Sequence, residues 1–247
     1  MGNVFFGGGK VGMKTPSVGV PLSGFLTDTV VKINVNGTPT NARIINQGIP
    51  SGSTLYDKSC DGTWLLLDDI YAKGVWDSSN NDYENSDIHS YLNNVFYNLL
   101  DAGLQEKIKE VKVPYKKGTG ASGYVDDVLC SGANGLLTKI FLLSGYELNW
   151  SKSNNAAFPI DGAALEYFKG CAAVDAKRKA YFNGTVTNWW LRSCVTDGNG
   201  LSWSVHTTGD YQNLSVGNTM GIRPAFILPS TALVEEEPNA DGSVNLL

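Results

Sequence analysis

Between Leu201 and Asn218 the chain carries the residue types and spacing suited to the chemistry of recognition. Leu201, Trp203, Val205, Leu214 and Val216 alternate as strands with one buried face do. Interleaved with them are Ser202, Ser204, His206, Thr207, Asp210, Tyr211, Gln212, Asn213, Ser215 and Asn218. Alternation sends many of these polar side chains outward together. Hydroxyls, amides, an imidazole and a phenol around an aromatic anchor offer the adaptable hydrogen bonding of a contact surface. The expected ligand contacts are Ser202, Ser204, His206, Thr207, Asp210, Tyr211, Asn213, Ser215 and Asn218. The plainer alternative is a solvated sheet face.

Other chemistry is thin. His89 falls on a helix away from its apolar stripe, and neither it nor His206 has a nucleophile partner such as a G-x-S-x-G elbow. Gly7-Gly8-Gly9-Lys10 lacks the following Ser or Thr of a phosphate-binding loop. Cys60, Cys130, Cys171 and Cys194 are widely spaced, so they read as buried or half-buried free thiols. The pairs Asp68-Asp69 and Asp126-Asp127 read as solvated turns. Arg192 and Arg223 adjoin core strands and read as buried donors to backbone carbonyls; Trp189 and Trp190 read as core and rim. No catalytic residue, metal or cofactor is expected, and the chain is read as a non-enzyme.

The elements that must position the face follow from pattern. Of 247 residues, 42% are hydrophobic and 17% charged, with six Trp, eleven Tyr and 28 Gly. That mixture permits a sizeable core under an uncharged polar surface. A net charge of −5 with scattered Lys and Arg excludes a phosphate-tracking surface, so nucleic acid is not expected. No apolar run reaches membrane-spanning length, and the N-terminus does not read as a secretory signal. Residues 1–27 read as an extended arm in which Phe5 and Phe6 could dock on a partner, 28–230 as the domain, and 231–247 as a polar acidic tail outside the core.

Asn36-Gly37 between two β-branched runs predicts a hairpin. Ser86 predicts the cap of a helix whose apolar face is Ile88, Tyr91, Leu92, Val95, Phe96, Leu99 and Leu100. A second helical stretch starts at Asp101 and runs through Leu104 and Ile108, and a third runs from an Asp161 cap to Phe168. The span from Gly118 to Gly135 reads as a long loop, and the chain from Asn188 onward as short strands and turns. Helices early and strands late predict an α+β domain.

The blocks Asn188-Trp189-Trp190-Leu191-Arg192-Ser193 and Gly221-Ile222-Arg223-Pro224-Ala225-Phe226 resemble a WLRS and closing GIRPA pair found in domains of gut Firmicutes and their phages. Trp76-Asp77-Ser78, Tyr83-x-x-Ser86 and Phe141-Leu142-Leu143-Ser144 before a Glu extend the likeness over 28–230. Cys194 departs from it, standing where Pro is common. The resemblance implies a C-type-lectin-like fold, shared with formylglycine-generating enzymes and with the variable proteins of diversity-generating retroelements, built of short twisted antiparallel strands with two or three helices. It implies that the stretch between the two blocks is a ligand-binding face. Glu237-Pro238-Asn239 matches the calcium tripeptide of sugar-binding C-type lectins, but lies in the tail without a Trp-Asn-Asp partner and is read as coincidence.

The function expected is receptor recognition by a phage virion protein, tail- or fibre-associated and made in the host cytoplasm. It would bind a host cell-surface protein or glycan through 201–218 and other virion proteins through its arm. A homo-oligomer, trimeric by analogy, is expected. The alternatives are a decoration protein without a specific ligand and, more distantly, a formylglycine-generating-type enzyme, although Cys171 and Cys194 do not match that site.

Overall fold

Asn36 and Gly37 both take positive φ, 50° and 72°. The tight turn they make joins Val30–Val35 to Thr38–Gln47 with Val35 opposite Thr38, as an Asn-Gly hairpin should. In the computed structural model, which describes residues 19–51, 53–118, 128–196 and 200–247, this hairpin lies in a six-stranded sheet. Its strand order is Ile140–Phe141, Ala225–Leu228, Thr63–Leu67, Thr38–Gln47, Val30–Val35 and Val244–Asn245. A five-stranded sheet runs Tyr211–Ser215, Leu201–Val205, Trp189–Cys194, Met220–Ile222 and Ala72–Gly74. Pairing is antiparallel except between Trp189 and Gly221 and between Val244 and Val31. The close approach at Gly221 favours glycine, because a Cβ there would lie 2.9 Å from the backbone oxygen of Asn188 as well as against the Ile70 side chain.

The expectation of an α+β, C-type-lectin-like domain with two or three helices is corrected. The described residues are mainly β, with 34% strand against 17% helix. The first predicted helix is present: Ser86 Oγ accepts from the His89 amide at 3.2 Å, and Asp87–Tyr91 leads through a π-helical stretch, Leu92–Phe96, into a last turn at Tyr97–Leu99. The wider π turn changes the phase of the buried face. Ile88, Leu92, Phe96 and Leu100 are buried at a spacing of four, while Val95 is 48% exposed. The second prediction shrinks to Ala102–Lys107, capped by Asp101. The third fails: only Glu166–Phe168 forms a 3-10 turn, and Asp161 is a fully buried carboxylate rather than a cap. Within the expected 118–135 loop Leu129–Cys130 forms a strand paired with Tyr115–Lys116, and residues 119–127 lie outside the described residues.

The ends of the described chain belong to the body. Gly19–Pro21 pairs with Leu233–Glu235, and Leu22, Val234 and Val244 are buried. The segment after Pro229, expected outside the core, therefore closes one side of it. Three of its apolar residues, Ala232, Val234 and Val244, fill core positions, which compositional acidity conceals. Phe5, Phe6 and the Asp126-Asp127 pair lie outside the described residues.

Candidate binding face

The five-stranded sheet carries the predicted face at one edge. Leu201–Val205 and Tyr211–Ser215 pair from Leu201 opposite Ser215 to Val205 opposite Tyr211. Between them the His206 amide donates to Asp210 O at 2.7 Å and the Gly209 amide to His206 O at 2.8 Å. Gly209 sits at φ 88°, where a Cβ would lie 2.1 Å from Asp175 O, so only glycine lets this turn close against its neighbour. Asn188 Oδ1 accepts from the Thr207 amide at 2.8 Å. From below, buried Arg178 stacks over Trp150, donates through Nε to Leu148 O at 2.9 Å and through Nη1 to Ala172 O at 2.8 Å, and reaches Gly209 O at 3.4 Å.

The structure divides the nine expected contacts. Asn213, Ser215 and Asn218 are exposed; His206, Thr207, Asp210 and Tyr211 are half-buried. Ser202 and Ser204 are fully buried and are removed from the face. Their strand has a neighbour on each side and both of its faces are covered, so simple alternation fails. Ser202 Oγ donates to Ser193 O at 2.9 Å, and Ser204 Oγ to Gln212 O at 3.4 Å. Trp203 and Tyr211 share a face with Asn213 and Ser215 through the register, and there Phe158 stacks on Trp203 at 4.0 Å and 18°. Tyr211 meets both rings edge-on and donates from its hydroxyl to Asn154 O at 2.8 Å. The face is thus a short polar strip held on a rigid aromatic floor.

Behind that floor lies a polar cluster that pattern reading overlooked. Arg192 and Glu147 form a bidentate ion pair, both contacts 2.6 Å, with both side chains fully buried. The remaining guanidinium donors reach Pro114 O at 2.9 Å, Leu142 O at 2.8 Å and Asp161 O at 3.1 Å. All five N–H groups of Arg192 are therefore matched. Glu147 also accepts from Tyr56 Oη at 2.9 Å and from the Ser144 amide at 2.9 Å. Ser193 Oγ donates to Asp161 Oδ2 at 2.7 Å and accepts from the Gly145 amide at 3.0 Å.

Burial opposes charge on Arg192, yet Glu147 more than offsets it and holds the guanidinium above its usual range. Burial pushes Asp161 up to about 7 against the pull of Arg192. It likewise raises the thiols of Cys60 and Cys194 to about 12. These raised values thus fall on groups enclosed by the core. The signal that could have found the cluster was in view: Ser144 and the Glu three residues on, next to the Arg-Ser of the WLRS block.

The remaining candidates are structural. Arg223 donates to Leu67 O at 2.7 Å and Asp68 O at 3.0 Å and lies over the Trp189 ring. Trp189 and Trp190 are both fully buried. Asp68, expected as a solvated turn, takes a bidentate pair from Arg43 at 2.8 and 2.9 Å. His89 is half-buried beside the Tyr83 ring, and burial lowers its pKa. Cys194, standing where Pro is common, ends a buried strand. Among the described residues no group of His, Cys, Asp or Glu could hold a metal ion, and Asn239 of the calcium-like tripeptide bonds instead to Ser243 and Asn245.

Fold and face together define a mainly-β domain that presents a polar edge on a core braced by a buried ion pair. The chain belongs to the family described as Domain of unknown function (DUF6273), whose model matches residues 61–230. No curated protein and no solved structure matches it. The matched span includes Glu147, Arg192, Arg223 and the whole of the edge.

Proposed function

We propose that this chain is a binding module whose contact surface is the turn and edge strand over residues 206–218. The observation that carries the reading is the strip itself. Asn213, Ser215 and Asn218 are exposed beside half-buried His206, Thr207, Asp210 and Tyr211, on and around a strand paired with Leu201–Val205, whose Trp203 stacks on Phe158. Polar groups mounted on a rigid element bind at a low ordering cost. The resemblance of the WLRS and GIRPA blocks supports a more particular reading, that of a phage virion protein recognising a molecule on the host surface without catalysis. The test is adsorption of virions, or of the purified chain, to host cells. Replacing Asn213, Ser215 and Asn218 together by Ala is expected to weaken adsorption at least about tenfold, the effect of losing roughly 1.4 kcal/mol of contact. Unchanged adsorption would instead favour a decoration role, and absence of the chain from purified particles would remove the virion reading.

A further inference from the structure

Every β-sheet edge exposes backbone groups, and proteins usually shield them with charge, proline or brevity. Three of the edges here follow that rule. Ala72–Gly74 has Lys73 at its centre, and Ile140–Phe141 and Val244–Asn245 are two residues long. The edge Tyr211–Ser215 does not: its sequence Tyr-Gln-Asn-Leu-Ser spans five residues without a charge or a proline.

The register determines which of its backbone groups point outward. The hydrogen bonds from the His206 amide to Asp210 O and from the Val216 amide to Gly200 O set the parity of the antiparallel ladder. Gln212 and Leu214 therefore face Leu201–Val205, and the N–H and C=O groups of Tyr211, Asn213 and Ser215 face away. Two of those groups are already satisfied within the chain. The Tyr211 amide donates to Asp210 Oδ1 at 2.8 Å, and Ser215 O accepts from Asn218 through its amide at 2.9 Å and its Nδ2 at 3.0 Å. Left over are Tyr211 C=O, Asn213 N–H, Asn213 C=O and Ser215 N–H, none with a partner among the described residues.

We propose that this edge pairs with the same edge of a second copy of the chain, antiparallel about a two-fold axis at Asn213. The partial charges of the four groups are self-complementary under that operation. Asn213 N–H meets Asn213 C=O of the mate in both directions, and Ser215 N–H meets Tyr211 C=O of the mate, also in both directions. The two groups capped internally, Tyr211 N–H and Ser215 C=O, would otherwise have faced each other, so the capping leaves nothing unmatched. A foreign strand would need no such symmetry in the caps. Two five-stranded sheets become one, and because side chains stand perpendicular to the sheet the two polar strips merge into a single larger face. A contact made by one patch with itself is isologous and closes at two copies, in place of the trimer expected by analogy.

Sedimentation velocity of the full chain tests the proposal independently of any ligand. The wild type should sediment at twice the mass of one chain. Asn213→Pro removes an outward N–H without touching the ladder to Leu201–Val205, and should sediment as a single chain with an unchanged near-UV spectrum. Asn213→Lys, which sets two like charges together at the axis, should do the same. A wild type that stays single at the highest attainable concentration overturns the proposal, as does a dimer that survives both variants. Should Asn213→Pro fail to fold, hydrogen exchange on the wild type decides. The Asn213 and Ser215 amides should gain protection as concentration rises, and concentration-independent exchange there overturns the proposal.

Discussion

Two polar regions only a few strands apart treat hydrogen bonding in opposite ways. Around Arg192 every guanidinium donor has an acceptor and both members of the ion pair are fully buried. Along Tyr211–Ser215 four backbone groups and several side chains are left open, and none of the five residues carries a charge. In the first region any unmatched group would bear the full cost of desolvation, so the sequence there is tightly constrained. In the second, water satisfies whatever a partner does not, so residue choice is free to serve recognition. The contrast explains how one domain can be rigid and adaptable within the same sheet.

The comparison breaks most sharply at Glu147. Glu147→Ala leaves Arg192 charged and uncompensated in the core and should cost about 3–5 kcal/mol of stability, read from urea unfolding. A loss near that of a surface change would mean that the cluster does not brace the sheet. Ser193→Ala should cost about 1–3 kcal/mol by the same measurement, since it strands both Asp161 Oδ2 and the Gly145 amide.

Asp161 sharpens the contrast through pH. Its folded pKa, about 7, lies above the ordinary 3.8, so the folded state binds the proton more tightly than the unfolded chain. Its contribution is fully present below 3.8 and is lost as pH rises toward about 7. Asp161→Asn should flatten that part of the stability profile, and an unaltered slope would assign it to other groups. The smallest effect is expected at the edge. Asn213→Ala should change stability by no more than about 0.5 kcal/mol, because its exposed side chain makes no hydrogen bond to the described residues. A larger change would show that the strip is itself part of the structural core.

Much of the architecture was legible from local pattern. The Asn36-Gly37 hairpin, the Ser86 cap and the Leu201–Val205 and Tyr211–Ser215 strands each depend on neighbours a few residues away, and each is found. The pattern predicts a third helix because Asp161 has the chemistry of a cap, yet Gly162 is pressed against Ser144, where a Cβ would lie 2.4 Å from Oγ. Alternation places Ser202 and Ser204 outward because it describes a strand with one dry face and one wet, and this strand has two dry ones. A single π turn carries Val95 from the expected apolar face to the surface.

What the sequence by itself determined is therefore local: turn chemistry, capping, strand periodicity, and the identity of Arg192 and Arg223 as interior donors. Tertiary structure alone decided which strand became the edge, which serines were enclosed, and that Glu147, Tyr56 and Asp161 converge on Arg192 from distant parts of the chain. The reason is physical. Periodicity and capping are set by bonds within a turn or two, whereas burial and edge position depend on which segments come to lie on either side, and that is settled only when the whole core has formed.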